Sequence, residues 1–202
     1  EQEVRGFLEF GHAKGYIFYL PHQLPHWVIL KPMWIVRILR EVITRYGNED
    51  WKKKIDWSKE DVERYKKGRF SDSMLKVLWK DYEKYGIKEL TDLLIHFRLA
   101  FRDEIDGNLI IPAHLPPEIP LKVKKFLEKD TSSKSQCSLQ AKIVPVGLFG
   151  NLICHVARLK LLGVPPNAWE TGLMYFYHDH KIIIQMKPGN RIEISIVGDE
   201  QK

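Results

Sequence analysis

The sequence predicts an α+β fold: a helical, winged-helix-like subdomain followed by a helix packed on an antiparallel β-meander. Three observations predict it. Apolar residues recur at helical spacing through much of the stretch to residue 97. The turn residues Asp106-Gly107-Asn108 sit between apolar segments, as in a β-hairpin. From Leu173 onward, short runs rich in β-branched and aromatic residues are separated by polar turns, as in a meander.

In the first subdomain, Gly15 introduces Tyr16-Ile17-Phe18-Tyr19-Leu20, a strand that Pro21 stops. Val28-Ile29-Leu30 leads to Lys31-Pro32, where a helix opens because a first-turn N–H has no partner for proline to remove. Ile35, Ile38, Leu39, Val42 and Tyr46 form its apolar stripe and Gly47 its stop. Ser58, followed by Glu60 and Asp61, caps a short helix to about Tyr65. A further helix is expected over residues 71–85, with Met74, Leu75, Leu78, Trp79 and Tyr82 inward and Gly86 at its end. The next, over 88–97, buries Leu90, Leu94 and Phe97. Leu99, Phe101 and Ile105 then run into the hairpin turn, and Leu109-Ile110-Ile111 returns.

The polar run Glu128-Lys129-Asp130-Thr131-Ser132-Ser133-Lys134 has no apolar anchor, so a linker is expected over 126–138, between subdomains at 1–125 and 139–202. Leu148, Phe149, Leu152, Ile153, Val156 and Leu159 then trace a helix over 147–162, ended by Gly163 and Pro165-Pro166. Strands are expected over 173–177, 181–186 and 191–197, joined at His178-Asp179-His180 and at Lys187-Pro188-Gly189-Asn190. Ile192, Ile194 and Ile196 alternate with Arg191, Glu193 and Ser195, so one face of the last strand is buried, with the helix as its cover.

Composition narrows the function. No apolar run approaches the roughly 18 residues of a membrane span, the polar start is no signal peptide, and two cysteines are too few for a disulfide framework. A cytoplasmic setting follows, and the absence of an initiator Met reads as an excised fragment. The formal charge of +6 invites an acidic partner, but the densest basic stretch, Lys52 to Arg69, is interleaved with Asp56, Glu60, Asp61 and Glu63. A winged-helix nucleic-acid-binding module is therefore the alternative reading rather than the first. The third helix offers Glu89 and Asp92, which phosphates repel. Metal binding by His178 and His180 lacks a third ligand. Cys154 and His155 are helix neighbours that point about 100° apart and cannot share a hydrogen bond on one face. No enzymatic site and no cofactor are expected. Trp34 and Trp169 read as core anchors, and Trp51 and Trp57, set among charges, as candidate exposed aromatic contacts.

Leu8-Glu9-Phe10, Gly15-Tyr16-Ile17, Val28 through Ile35 with its Pro-Met-Trp helix start, and Leu109 through Pro116 come in one order in the first subdomain. Val144-Pro145-Val146-Gly147-Leu148-Phe149 and Trp169-Glu170-Thr171-Gly172 follow in the second. In these features the chain resembles the COR (C-terminal of Roc) region of Roco proteins, the group that includes the leucine-rich-repeat kinases. The resemblance implies a non-catalytic scaffold that docks on the adjacent Roc GTPase domain in cis and forms a homodimer through its second subdomain, coupled to the GTP/GDP state. GTP and Mg would be held by the Roc domain of the parent protein, because this chain has no phosphate-binding loop. It also implies a GTPase-domain contact at Lys142, Ile143, Val144, Pro145 and Phe149, with Ile143 where some members carry an aromatic. The family's second subdomain continues past the meander, so a C-terminal truncation is expected.

Overall fold

The computed structural model describes residues 2–22, 24–25, 27–44, 55, 57–129, 134–159, 167–178 and 180–198. In chain order its elements are α1 (Gln2–Ala13), β1 (Phe18–Tyr19), β2 (Val28–Ile29), α2 (Pro32–Ile43), α3 (Lys59–Lys66), β3 (Arg69–Phe70) and α4 (Asp72–Leu78). A 3-10 helix (Lys80–Tyr85), α5 (Ile87–His96), β4 (Phe101–Arg102), β5 (Leu109–Ile110) and a second 3-10 helix (Pro112–His114) follow. The chain continues with α6 (Leu121–Lys129), β6 (Lys134–Gln140), α7 (Leu148–Arg158), β7 (Asn167–Trp169), β8 (Gly172–Tyr177), β9 (His180–Lys187) and β10 (Arg191–Gly198). The fold is α+β, as its sequence predicts. Two compact units form, one from Glu1–Trp57 with Asp72–Phe97 and the other from Ser58–Ser71 with Arg98–Lys202.

In the first unit, the expected strand and its return pair antiparallel, Phe18 with Ile29 and Tyr19 with Val28. Pro32 opens α2, which buries Ile35, Ile38, Leu39 and Val42; Tyr46 and Gly47, its expected end, lie outside the described residues. The single helix expected over 71–85 is instead divided. Trp79 leaves the helical region at φ −99°, ψ 26°, its ring is fully buried, and its indole N–H donates to the Ile38 carbonyl at 3.0 Å. That anchor fixes the ring on α2, and the chain tightens into the 3-10 helix beyond it. Trp34, expected in the core, is half-buried and packs edge-on against Tyr85, with Trp27 beside both. Phe97 is also half-buried, its ring edge-on to Phe18.

In the second unit, the expected cap of α3 is a capping box: the Asp61 N–H donates to Ser58 Oγ at 3.1 Å, and the Ser58 N–H donates to Asp61 Oδ2 at 3.4 Å. The hairpin β4–β5 forms, and β3 joins it in the order β3-β5-β4. Arg69 on β3 braces the hairpin loop. Its guanidinium donates to buried Asp103 at 2.7 and 2.6 Å and to Asp106 at 2.7 Å. Burial acts to raise the Asp106 carboxyl, but hydrogen bonds from Asn108 and the Arg69 charge outweigh it and hold that group below its ordinary value.

The meander β7-β8-β9-β10 is antiparallel throughout, and β6 closes its far side on β10 in the order β6-β10-β9-β8-β7. Residues 134–138, expected within a polar linker, thus belong to a strand, and residues 126–129 to α6. Register puts Leu173, Tyr175, Ile184, Met186 and Ile192 on one face, where they pack with Phe149, Ile153, Cys154 and Val156 of α7. The same cluster takes in Phe101, Ile110 and Leu115. Trp169, Met174 and Ile183 lie on the opposite face and pack with Val123, Phe126 and Leu127 of α6. Both sheet faces are therefore covered, one by the expected helix and one by a helix the sequence reading missed. Gly172 must lack a side chain, since a Cβ there would overlap the Trp169 ring and lie 2.8 Å from the Ile184 carbonyl oxygen.

Candidate functional site

The implied contact segment is the connection from β6 to α7, residues 141–147. Its backbone is fixed at both ends. At the first, the Ala141 N–H donates to the Asn190 carbonyl at 3.1 Å, and the Asn190 side-chain amide donates to the Lys142 carbonyl at 3.3 Å. The Gln140 amide also donates to the Gly189 carbonyl. Gly189 and Asn190 have φ of 77° and 58°, the left-handed geometry of the β9–β10 turn that turns these groups toward the loop. At the second end, the Leu148 N–H donates to the Pro145 carbonyl at 3.2 Å and the Asn151 N–H to the Gly147 carbonyl at 2.9 Å, which starts α7. Gly147 at φ 83° makes the corner that residues with a Cβ rarely adopt.

On this fixed backbone the apolar side chains point away from the core. Ile143 is 80% exposed and Val146 fully exposed, with Lys142 and Pro145 exposed beside them and Val144 half-buried. Phe149 is different. It is 5% exposed inside the cluster under α7, so it supports the loop from below and offers a partner little surface. Val146 is not among the contact residues that the resemblance implies. The signal for it was that a valine between Pro145 and Gly147 falls outside the α7 stripe and so has no place in the core.

Of the two candidate aromatic contacts, Trp57 is half-buried and Trp51 lies outside the described residues. Cys154 is fully buried, and burial pushes its thiol up to about 12, so it is protonated at neutral pH and a poor nucleophile. His178 makes the β8–β9 turn at φ 50°, and Asp179 is outside the described residues. Among the described residues no three of His, Cys, Asp and Glu gather as metal ligands, and no helix is long and apolar enough to cross a membrane. What the loop offers is apolar area on a held backbone. Removing the Ile143 and Val146 side chains from water is favourable by roughly 1.5–3 kcal/mol each, before the costs of association.

The family model described as C-terminal of Roc, COR-A domain, matches residues 1–115, more than half of the chain. The chain belongs to the COR-A family. COR-A domains are Roc-associated parts of Roco proteins, so the resemblance read from Leu8 through Pro116 is matched across nearly all of that stretch. The COR-A match runs from α1 to just past the second 3-10 helix, and the 141–147 loop lies beyond it. No curated protein matches this COR-A chain.

Proposed function

We propose that this chain is a non-catalytic COR scaffold that docks on the adjacent Roc GTPase domain and mediates dimerisation coupled to its GTP/GDP state. Residues 1–125 act as a COR-A subdomain and 139–202 as a COR-B-like subdomain. The observation that supports the docking half of this reading is the pair Ile143 and Val146, exposed on a loop whose two ends are hydrogen-bonded in place. A loop of this kind serves a partner better than it serves its own fold, because exposed apolar side chains gain nothing until covered. Lys142 sits on its rim, and Phe149 acts as the buried support.

Coupling to nucleotide state follows if the two GTPase states press differently on this loop, since a ligand shifts an equilibrium only by its differential affinity for the two states. The loop joins α7 to β6 and is bonded to the β9–β10 turn, so a displacement there is passed directly to the sheet. The test is titration calorimetry of the chain with its Roc domain, loaded with GDP or with a non-hydrolysable GTP analogue. Ile143→Asp with Val146→Asp should weaken the complex at least tenfold and leave the fold intact. Unchanged affinity in the double variant would remove the loop from the interface.

A further inference from the structure

The two edges of the five-stranded sheet are unequal. β7 is three residues long, whereas β6 runs for seven, pairs with β10 along its whole length, and is exposed from Ser135 to Gln140. Among the described residues no strand pairs with its outer side. A long, regular edge leaves backbone N–H and C=O groups ready to pair with another strand, and proteins usually blunt such edges with proline, bulges or several charges. β6 has no proline, and Lys134 at its first position is its only charged residue.

We infer that the outer edge of β6 pairs antiparallel with β6 of a second copy of this chain, about a twofold axis at Cys137, joining the two five-stranded sheets into one. The inference rests on the dimerisation part of the proposed function and supplies its contact.

The sequence of β6 suits pairing with itself. Centred on Cys137, antiparallel pairing sets Lys134 opposite Gln140, Ser135 opposite Leu139 and Gln136 opposite Ser138. The single charge meets a neutral amide, so no like charges are opposed, which is the condition a symmetric strand pair most often fails. The sheet face continues the match. Ser135, Cys137 and Leu139 lie in register with Ile196, Ile194 and Ile192 of β10. Leu139 is 55% and Ile196 39% exposed, so an apolar stripe at the β6 side of the sheet stays partly in water. Pairing across the axis brings the two stripes side by side and covers both.

The axis gives a register-specific test. Opposed residues of an antiparallel pair have Cα atoms about 4.5–5.5 Å apart, within disulfide reach. The whole chain, concentrated enough to dimerise, is treated with copper phenanthroline, which takes two electrons while two thiols release two protons and form a disulfide. Cys137 should give a reducible species of twice the mass, and Cys137→Ser should abolish it. In the Cys137→Ser background, Ser135→Cys and Leu139→Cys mixed together should cross-link. Either alone should not, because like positions are then four residues apart along the strands, about 14 Å. Circular dichroism identifies any variant that fails to fold, and native Cys137 needs no substitution. If the chain dimerises by sedimentation but Cys137 does not cross-link, or the single variants cross-link as well as the mixture, the β6 pairing is wrong and the dimerisation reading stands. A monomer at every concentration overturns both, while leaving the GTPase contact to its own test.

Discussion

The unit around Trp79 and the unit around the five-stranded sheet bury apolar residues by different routes. In the first, the core is made by helices whose stripes are complete within ten or twelve residues, as in α2 and α5. In the second, the core depends on strands paired across long separations, Cys137 with Ile194 and Phe70 with Leu109, and on helices laid over both sheet faces. Local periodicity therefore traces α2 and α5 in the first unit but not α1 or the break at Trp79, and in the second even the alternating strand β10 departs from it, with Glu193 and Ser195 buried and Ile196 exposed. Exposed apolar side chains occur in both units: Phe7, Leu30 and Met33 are examples in the first, and in the second Ile105 and Leu121 as well as Leu139 and Ile196 on the β6 side of the sheet and Ile143 and Val146 on the loop from β6 to α7.

The strongest test of this contrast is Trp79→Ala. Removing a fully buried ring and its hydrogen bond to Ile38 should cost about 3–5 kcal/mol. Chemical denaturation followed by circular dichroism should show the first unit lost at much lower denaturant. In the second unit, Arg69→Met strands the Asp103 carboxylate, which is 1% exposed. Breaking such a pair should cost about 3 kcal/mol, the low end for a buried ion pair because Arg69 is itself partly exposed. Gly172→Ala should cost about 1–3 kcal/mol by driving a methyl group into Trp169 and the Ile184 carbonyl, read as a fall in melting temperature.

Because the folded structure holds the Asp106 carboxyl below its ordinary value of 3.8, its contribution to stability is complete above that value. It is lost as pH falls through the depressed one, so Asp106→Asn should flatten the acid limb of the stability curve below about pH 4. Smallest of all, Ile143→Asp should change folding stability by no more than about 0.5 kcal/mol, since the side chain is in water already. Thiol labelling distinguishes surface from core without any substitution. At concentrations too low for dimerisation, exposed Cys137 should react with a maleimide in the native chain, and Cys154 only after unfolding.

What the sequence disclosed follows the reach of each interaction. The Ser58 cap, the Pro32 start and the Asp106-Gly107-Asn108 turn act within four residues, and each stands where its residues predict. The break at Trp79 is set by a carbonyl on α2, forty-one residues earlier in the chain, and no local pattern carries it. β6 escaped notice because an exposed edge strand has no apolar alternation to display: Leu139 is its one large apolar residue. α1 was missed for a different reason: Val4, Phe7 and Leu8 recur at helical spacing, but Gly6 and Gly11 inside the helix weaken the pattern. α6 was hidden by its lysines, which outnumber the Val123, Phe126 and Leu127 that cover the sheet. At the candidate site, the loop was legible from its proline and glycine, and the apolar stripe of α7 already turned Phe149 inward, against the contact role that the resemblance implies for it.

Among the described residues, each unit holds one indole removed from water, Trp79 in the first at 0% exposure and Trp169 in the second at 1%. With the other four tryptophans replaced by phenylalanine, each dry ring becomes a separate fluorescent reporter whose emission moves to longer wavelength when its own surroundings open. The chain thus carries the means to show whether its two units melt in one step or in two.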